Sequence, residues 1–308
     1  MRTWSWFEGV WREGDSHLAD GRWFWPANGL ELEELAARFH LHPLALEAAL
    51  HHDLHSPRVD RFPGHLYLTM VAVLRADPGP HIEEVDLFLG PGFLITYADF
   101  HIPEMEEVAN AVSTGRTSRP GLDGLLYEVA DRLVDGILPE VNDLAAELDG
   151  FEDRALDHPE DTAVARRVVG VRARAGAVRR VIGPQLAAIQ RLSRGEFEEI
   201  SEPNRIYFRD VYDHLVRVDM ALEAVREDAE VVLSTYLSAV NNRMNEVMKV
   251  LSVVAALALP ATVIAGIFGT NFDNVPGLHS NWGFVGMLAA MGALAGGMAL
   301  YFKRRGWF

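Results

Sequence analysis

The chain has 308 residues, no cysteine and a formal net charge of −16. Without cysteine, a disulfide framework and a Cys-ligated zinc site are both excluded. The excess of 44 acidic over 28 basic residues argues against a nucleic-acid-binding surface. We therefore expect no nucleic-acid partner.

Residues 1–120 mix short β-rich segments with helical ones and predict a cytoplasmic α/β domain. The runs "HLYLTMVAVLRA" (65–76) and "EVDLFLGPGFLITYA" (84–98) predict strands with a Gly-Pro-Gly turn. The runs "ELEELAARF" (31–39) and "HPLALEAALHH" (42–52) predict helices.

The same domain contains a histidine-rich motif, "HHDLH", with His51, His52, Asp53 and His55. Imidazole and carboxylate groups are ligands for Zn²⁺, Ni²⁺ or Co²⁺. A helix would place His51 and His55 on one face, four residues apart. The sequence supplies no evident third and fourth ligand nearby, so solvated turn residues are the alternative.

Residues 121–202 predict an antiparallel pair of cytoplasmic helices with opposite charge. The stretch from Gly124 to about Asp157 has ten acidic and two basic residues, and Val164 to Arg194 has eight arginines and no acid. "DHPED" at 157–161 is the predicted turn. Opposite charge favours packing of the two helices, although each exposed pair contributes little. The acidic run is either a solvated face or a means of concentrating cations.

Residues 203–270 predict one long helix that continues from the cytoplasm into the membrane. Neither proline nor glycine occurs from Asn204 to Leu259, and apolar residues recur at helical spacing. Such a helix would be about 100 Å long at 1.5 Å per residue. Because a helix of this length needs neighbours, it predicts a bundle or an oligomer.

Two apolar runs, residues 248–268 and 283–302, predict transmembrane helices, because each has about the 20 residues needed to cross a bilayer. From Val250 to Phe302 the only charged residue is Asp273. Pro260 is acceptable within the first span, since neighbouring helices can satisfy the freed carbonyl. A buried hairpin of a soluble protein is the alternative interpretation.

Flanking charges predict how these spans are oriented. Arg243 precedes the first span, Lys249 lies at its beginning and Lys303 to Arg305 follow the second span, whereas the loop at 271–282 has no Lys or Arg. The positive-inside rule then places both termini, including a basic tail at 303–308, in the cytoplasm. We expect a multi-pass protein of the cell (inner) membrane with the lipid bilayer as a partner.

One face of the first span carries small and weakly polar side chains. Its members are Asn245, Met248, Ser252, Ala255, Leu259, Thr262, Gly266 and Gly269. This face, the small-residue stripe, could line a pore or pack against another helix. Periodicity alone favours packing.

The run "NEVMKVLSVVAALALPATVIAGIFGTNFDNVPGLHSNWGF" and the ending "YFKRRGWF" resemble the CorA superfamily of divalent-cation channels. The resemblance extends back through "PNRIYFRDVYDHLVRV" to "HPLALEAAL". It implies a homopentamer with a funnel-shaped cytoplasmic domain, a pore lined by the first membrane helix, and no enzymatic activity.

The signature of that superfamily, Gly-Met-Asn, matches Gly269, Thr270 and Asn271, with Thr in place of Met. The resemblance implies a ring of Asn271 amides at the outer mouth, the ion-entry filter. Mg²⁺ gives up its water reluctantly, and a ring of neutral oxygens can accept hydrogen bonds from the hydrated ion. Without the resemblance, Asn271 would be interpreted as a helix C-cap.

The resemblance also assigns positions along the conduit: Asn245, Met248, Leu251, Ser252, Leu259 and Thr262. Met248 and Leu251 would form an apolar gate that closes by dewetting. Asp210, in "FRDVYDH", matches a carboxylate of the family's regulatory metal site, with Asp77 as its expected partner; a surface charge is the alternative. Asp273 would attract cations in the outer loop.

The expected function is a Mg²⁺ channel that tolerates Co²⁺ or Ni²⁺ and needs no cofactor beyond bound divalent cations. Departures from the family pattern at Thr270, Gly277 and Ser234 leave Zn²⁺ transport, with or without proton coupling, as an alternative. A membrane-anchored metal-dependent enzyme is a further hypothesis, but no nucleophile–base pair or phosphate loop supports it. A non-conducting scaffold is the last.

Overall fold

The computed structural model describes residues 1–7, 10–14, 20–25, 28–51, 53–76, 79–116, 119–270, 275–277, 280 and 282–307. These residues form two compact units. The first comprises Met1–Arg154 and Thr162–Leu233, and the second comprises Ala155–Asp161 and Ser234–Phe308.

A seven-stranded sheet lies at the centre of the first unit. Its strands are β1 (Arg2–Phe7), β2 (Val10–Glu13), β3 (Gly21–Trp25), β4 (Arg58–Phe62), β5 (His65–Leu74), β6 (His81–Gly90) and β7 (Phe93–Tyr97). Their order is β2-β1-β3-β7-β6-β5-β4. Strands β3 and β7 pair in parallel, and the other neighbours are antiparallel. The predicted strands at 65–76 and 84–98 are confirmed as β5 and the β6–β7 hairpin.

Both faces of the sheet are covered. Neighbouring residues of a strand point to opposite faces, and Tyr67 and Leu68 of β5 are 0% and 1% exposed. One face packs against the first two helices, α1 (Gly29–Phe39) and α2 (Pro43–Leu50), through a core that includes Tyr67 and Phe88. A strand buried on both faces is apolar throughout rather than alternating, which explains the sequence of β5.

Six further helices follow the sheet and its first two helices. They are α3 (Pro103–Ser113), α4 (Leu122–Asp135), α5 (Ile137–Asp157), α6 (Thr162–Ser193), α7 (Glu202–Phe268) and α8 (Gly283–Arg304). The helices predicted at 31–39 and 42–52 are confirmed as α1 and α2. The predicted α/β fold followed by a long helix and two C-terminal apolar helices is therefore present.

The acidic stretch from Gly124 to Asp157 is two helices, so the prediction of a single acidic partner helix was wrong. Helix α4 ends at Asp135, Gly136 separates it from α5, and Pro139 lies in the first turn of α5. Because proline has no N–H, Pro139 cannot donate a helical hydrogen bond to the carbonyl of Asp135. The helix is therefore interrupted at this point. The arginine-rich stretch is the single helix α6.

Arginines of α6 form ion pairs with acidic residues on two helices. Arg174 Nη2 lies 2.5 Å from Glu147 Oε2 on α5. Arg179 pairs with Asp219 at 2.8 Å and also with Glu223, both on α7. Part of the acidic run is thus paired with α6, and α6 also pairs with the long helix through Arg179.

Helix α7 is continuous over 67 residues, as predicted, and includes Pro260. Its apolar segment and α8 are long and apolar enough to span a membrane, with 6% and 0% of the residues in these segments buried. Lys249 Nζ donates to the Gly306 carbonyl at 3.0 Å. This bond joins the start of the first apolar segment to the end of α8, so the two segments run antiparallel within the second unit.

Candidate cation pathway and carboxylate cluster

The small-residue stripe is exposed along its whole length, from Asn245 to Gly269. The same helix buries Val253, which is 4% exposed. At 100° per residue, Val253 lies about 140° around the helix from Met248. The stripe is therefore on a face that the chain's own packing leaves open.

Large apolar side chains on the expected conduit are exposed as well. Met248 is 55%, Leu251 60% and Leu259 68% exposed. Among the described residues, the two predicted gate residues are thus more than half exposed.

Hydroxyl groups along α7 donate to the helix backbone. Ser252 Oγ donates to the Met248 carbonyl at 2.7 Å, and Thr262 Oγ1 donates to the Leu259 carbonyl at 2.8 Å. Thr270 Oγ1 donates in the same way to Ile267 at 2.8 Å. Because each hydroxyl proton is already used, the remaining lone pairs can only accept hydrogen bonds. They suit the water shell of a cation.

Two backbone hydrogen bonds form at the outer end of α7, where the helix terminates. Gly269 N donates to the Ala265 carbonyl at 2.9 Å and Thr270 N donates to Ile267 at 3.3 Å. A Cβ on Gly269 would lie 3.2 Å from the Ala265 oxygen, a tight contact. Asn271, Asp273 and Asp77 lie outside the described residues, so their roles stay predictions.

A carboxylate cluster lies between α4 and α7. Donor atoms of Asp131, Asp135 and His214 are all within 4.8 Å of one another, the spacing that a bound metal ion requires. His214 Nδ1 is 3.1 Å from Asp135 Oδ1 and 4.0 Å from Asp131 Oδ1. The predicted regulatory residue Asp210 belongs to the same group, with Oδ2 3.7 Å from His214 Nε2.

Asp131 is the most enclosed member of the cluster. Its Oδ2 accepts from the Tyr127 hydroxyl at 3.4 Å, whereas its buried Oδ1 has no hydrogen-bond partner among the described residues. Burial raises the pKa of Asp131, and the neighbouring Asp135 charge raises it further. A cation bound here would offset this repulsion.

Sequence reasoning singled out Asp210 but not Asp131, Asp135 or His214. A usable signal was present: Asp131 and Asp135 are four residues apart, as are Asp210 and His214, so each pair shares a helix face. What the sequence could not give is the packing of α4 against α7 that brings the two pairs together.

The helical arrangement predicted for the "HHDLH" motif was wrong, and its metal role stays a prediction. Helix α2 ends at Leu50 and His51 is its C-cap with an extended backbone (φ −81°, ψ 128°), so His51 and His55 do not share a helix face. The carboxylate of Glu84 lies beside His55: the backbone N of His55 donates to Glu84 Oε2 at 2.5 Å, and its Nδ1 is 3.3 Å from Glu84 Oε1. His52 lies outside the described residues.

Comparison with known proteins gives one consistent result. The family described as "CorA-like Mg2+ transporter protein" matches residues 25–304. The cobalt/magnesium transport protein CorA of Thermotoga maritima is 32% identical over 277 residues, covering 87% of this chain and 77% of that protein.

More distant matches extend the comparison. The zinc transport protein ZntB of Pectobacterium atrosepticum is 23% identical, covering 86% of this chain and 81% of that protein. The structure of the CorA magnesium transporter from Methanocaldococcus jannaschii superposes with a TM-score of 0.90 at 20% identity, covering 100% and 98% of the two chains. At this identity the superposition establishes the fold alone.

The chain thus ends in two antiparallel apolar segments, the first being the end of the long helix α7, with hydroxyl acceptors on an exposed face; this architecture suits a membrane transport protein for metal ions. The chain belongs to the family of CorA-like Mg²⁺ transporter proteins. The predicted resemblance is confirmed, and the protein is a divalent-cation transporter rather than an enzyme.

Proposed function

We propose that the chain forms a Mg²⁺ channel in which five copies surround a pore lined by the small-residue stripe of α7. The observation that carries the proposal is an exposed face of small side chains on which Ser252 and Thr262 donate to their own helix and so present oxygen acceptors. One helix cannot enclose a conduit, so the stripe needs further copies. The number five comes from the resemblance to the superfamily.

Oxygen chemistry favours Mg²⁺ over Zn²⁺ as the transported ion. The stripe and the Gly-Thr-Asn end offer hydroxyl and amide oxygens and one thioether, and no histidine or cysteine. Mg²⁺ keeps its water and prefers oxygen, whereas Zn²⁺ prefers nitrogen and sulfur ligands. Co²⁺ and Ni²⁺ would be tolerated. Zn²⁺ transport, coupled to protons or not, is the second candidate, because relatives named for zinc also match.

The ion-entry filter of this proposal is the ring of Asn271 amides beside Gly269 and Thr270. Met248 and Leu251 form the gate, and Asp273 attracts cations in the outer loop. Both termini would lie in the cytoplasm of a cell with the protein in its inner membrane, because the basic residues flank the spans on one side.

Gating is assigned to the carboxylate cluster. Cytoplasmic Mg²⁺ bound by the carboxylate oxygens of Asp131 and Asp135, beside His214, would neutralise their charge, and its loss would leave the carboxylates to repel one another. Asp210 is 58% exposed at the edge of the cluster, which leaves it free to bridge to a neighbouring copy, with Asp77 as its expected partner. Loss of the ion would thus separate the copies and open the pore.

The test is flux through the full-length protein reconstituted into vesicles, with Mg²⁺ and Zn²⁺ in separate assays. Asn271→Ala should abolish most Mg²⁺ flux, because the filter loses its acceptor oxygens. The matched control is Asn242→Ala, which removes an exposed amide about 120° around α7 from Met248. Unchanged flux in Asn271→Ala would overturn the proposal, and Zn²⁺ flux greater than Mg²⁺ flux would favour the second candidate.

A further inference from the structure

A cavity of about 170 Å³ lies in the first unit, between the end of α2 and the strands β6 and β7. It shares no residue with the carboxylate cluster. Among the described residues its lining has two imidazoles and five carboxylates but no Lys or Arg: His51, His81, Asp53, Glu83, Glu84, Asp86 and Asp99. The cavity is therefore strongly electronegative.

Asp86 is the most buried carboxylate of this cavity, at 3% exposed. Its Oδ1 accepts from the Tyr67 hydroxyl at 2.6 Å and from Thr69 Oγ1 at 3.1 Å. Its Oδ2 has no hydrogen-bond partner in the part of the chain that the structure describes. Two hydrogen bonds thus fix the side chain and leave the second oxygen available to a ligand.

The surroundings of Asp86 favour a positively charged ligand. Glu83, Glu84 and Asp99 line the same cavity, so Asp86 lies among other carboxylates, with no Lys or Arg in the described lining. A buried carboxylate without a counter-charge is costly, and a bound cation would offset that cost.

The histidines indicate which class of cation would bind. His81 Nε2 lies 3.1 Å from Glu83 Oε2. A carboxylate that holds one ring nitrogen orients the imidazole and leaves the other nitrogen as a metal ligand. His51 lies at the rim beside Asp53, with side-chain exposures of 57% and 89%. Imidazole together with carboxylate suits Zn²⁺ and its chemical neighbours rather than Mg²⁺.

We propose that this cavity binds a transition-metal dication of the Zn²⁺ class, with Asp86 as the fixed ligand and His81 and His51 as ligands from the rim. The ligand atoms are farther apart than those of the carboxylate cluster. His51 and His81 are 57% and 52% exposed at the rim, so neither side chain is enclosed by the core and both are accessible to an ion. The site is independent of the pore and would sense a different metal from the one transported.

The test is Zn²⁺ binding to the full-length protein in detergent, measured by competition with a chromophoric chelator. The variants Asp135→Asn and His214→Asn are combined as the background, so that the carboxylate cluster does not contribute. In this background one Zn²⁺ should bind per chain, and Asp86→Asn or His81→Asn should weaken it by about tenfold or more. A hundredfold excess of Mg²⁺ should not displace it.

The matched control is His158→Asn, because His158 also pairs with a glutamate two residues later but lies outside the cavity. Binding should be unchanged in this control. His81 is half exposed, so His81→Asn should fold even if Asp86→Asn does not. Equal Zn²⁺ affinity in His81→Asn and the background, or displacement by Mg²⁺, would overturn the proposal. Neither result depends on flux, so it leaves the channel proposal unaffected.

Discussion

The two units of the chain differ in what they do with apolar surface. In the first unit the large side chains of the sheet, such as Trp23, Phe24 and Tyr67, are 0% exposed. In the second unit the apolar segments of α7 and α8 have almost no buried residues. The first unit is a folded domain with its own core, whereas the apolar segments of the second unit stay largely uncovered among the described residues, as is typical of helices that span a bilayer.

Polar groups follow the same division. In the first unit polar side chains pair with one another, as in the ion pairs of Arg179 with Asp219 and Glu223. On the small-residue stripe they bond only to their own helix, as Ser252 and Thr262 do. The stripe therefore presents acceptors and no fixed partner, which is the chemistry that a passing hydrated ion requires.

Thiol accessibility along α7 tests this contrast with the largest expected effect. The chain has no native cysteine, so each introduced cysteine is the sole target of a charged, membrane-impermeant thiol reagent. In Ser252→Cys, on the stripe, the reagent should react through the water-filled pore and block nearly all Mg²⁺ flux. Flux into reconstituted vesicles measures the block.

The matched control is Val254→Cys, because Val254 is also exposed, at 57%, but lies about 160° around the helix from Ser252. The reagent should leave its flux near that of the untreated protein. If both cysteines react equally, the stripe is a lipid-facing or packing surface and the pore assignment fails.

Disruption of the carboxylate cluster should have the next largest effect. Loss of a ligand in Asp131→Asn should raise the Mg²⁺ concentration needed to protect the protein from limited proteolysis by about tenfold or more. Asp213→Asn is the control, since Asp213 is an exposed carboxylate next to His214 that does not belong to the cluster. If Asp131→Asn needs the same Mg²⁺ concentration for protection as the wild type, the cluster has no role in regulation.

The parts of the fold that could be predicted are the elements that have a recognisable local sequence pattern. The continuous apolar run of β5, the Gly-Pro-Gly turn before β7 and the length of α7 each determine their element without help from elsewhere. The tryptophan-rich strands β1 and β3 escaped prediction, since β3 pairs in parallel with β7, about 70 residues later. Such pairing is set by tertiary packing and leaves no short-range signal.

The candidate sites divide in the same way. The stripe and the Gly-Thr-Asn end lie within one helix and its C-terminus, so sequence spacing and family resemblance were enough to propose them. The cluster around His214 and the cavity around Asp86 each join segments that are distant in sequence. His51 and Asp86 line one cavity because α2 ends beside β6, and a sequence pattern does not contain that information.

Stability as a function of pH should distinguish the buried carboxylate of the first unit from an ordinary surface acid. The pKa of Asp86 is about 7 in the folded protein, against about 3.9 in an unfolded chain. The folded state therefore binds more protons between these values, so stability should fall as pH rises from about 4 to 7. The loss should be roughly 1–4 kcal/mol.

In Asp86→Asn this dependence should disappear, because the amide keeps an acceptor for Tyr67 and carries no charge. The variant should match wild-type melting at pH 5 and melt at a higher temperature at pH 8. Thermal melting in metal-free buffer measures both. Wild-type protein that gains stability over the same pH range would show that Asp86 is already paired with a cation or a base.

The smallest effect concerns the ion pairs that connect α6 to α7. Arg179 contacts two carboxylates and is 34% exposed, whereas Arg172 contacts Glu230 alone and is 44% exposed. Exposed pairs contribute about 0–1 kcal/mol, so Arg179→Met should lower the free energy of unfolding by up to about 1 kcal/mol, and Arg172→Met by less. Chemical denaturation at low and high salt measures the difference, which should shrink at high salt because surface pairs are screened. A larger loss in Arg172→Met would mean that α6 is held by its apolar face and that its charges serve solubility alone.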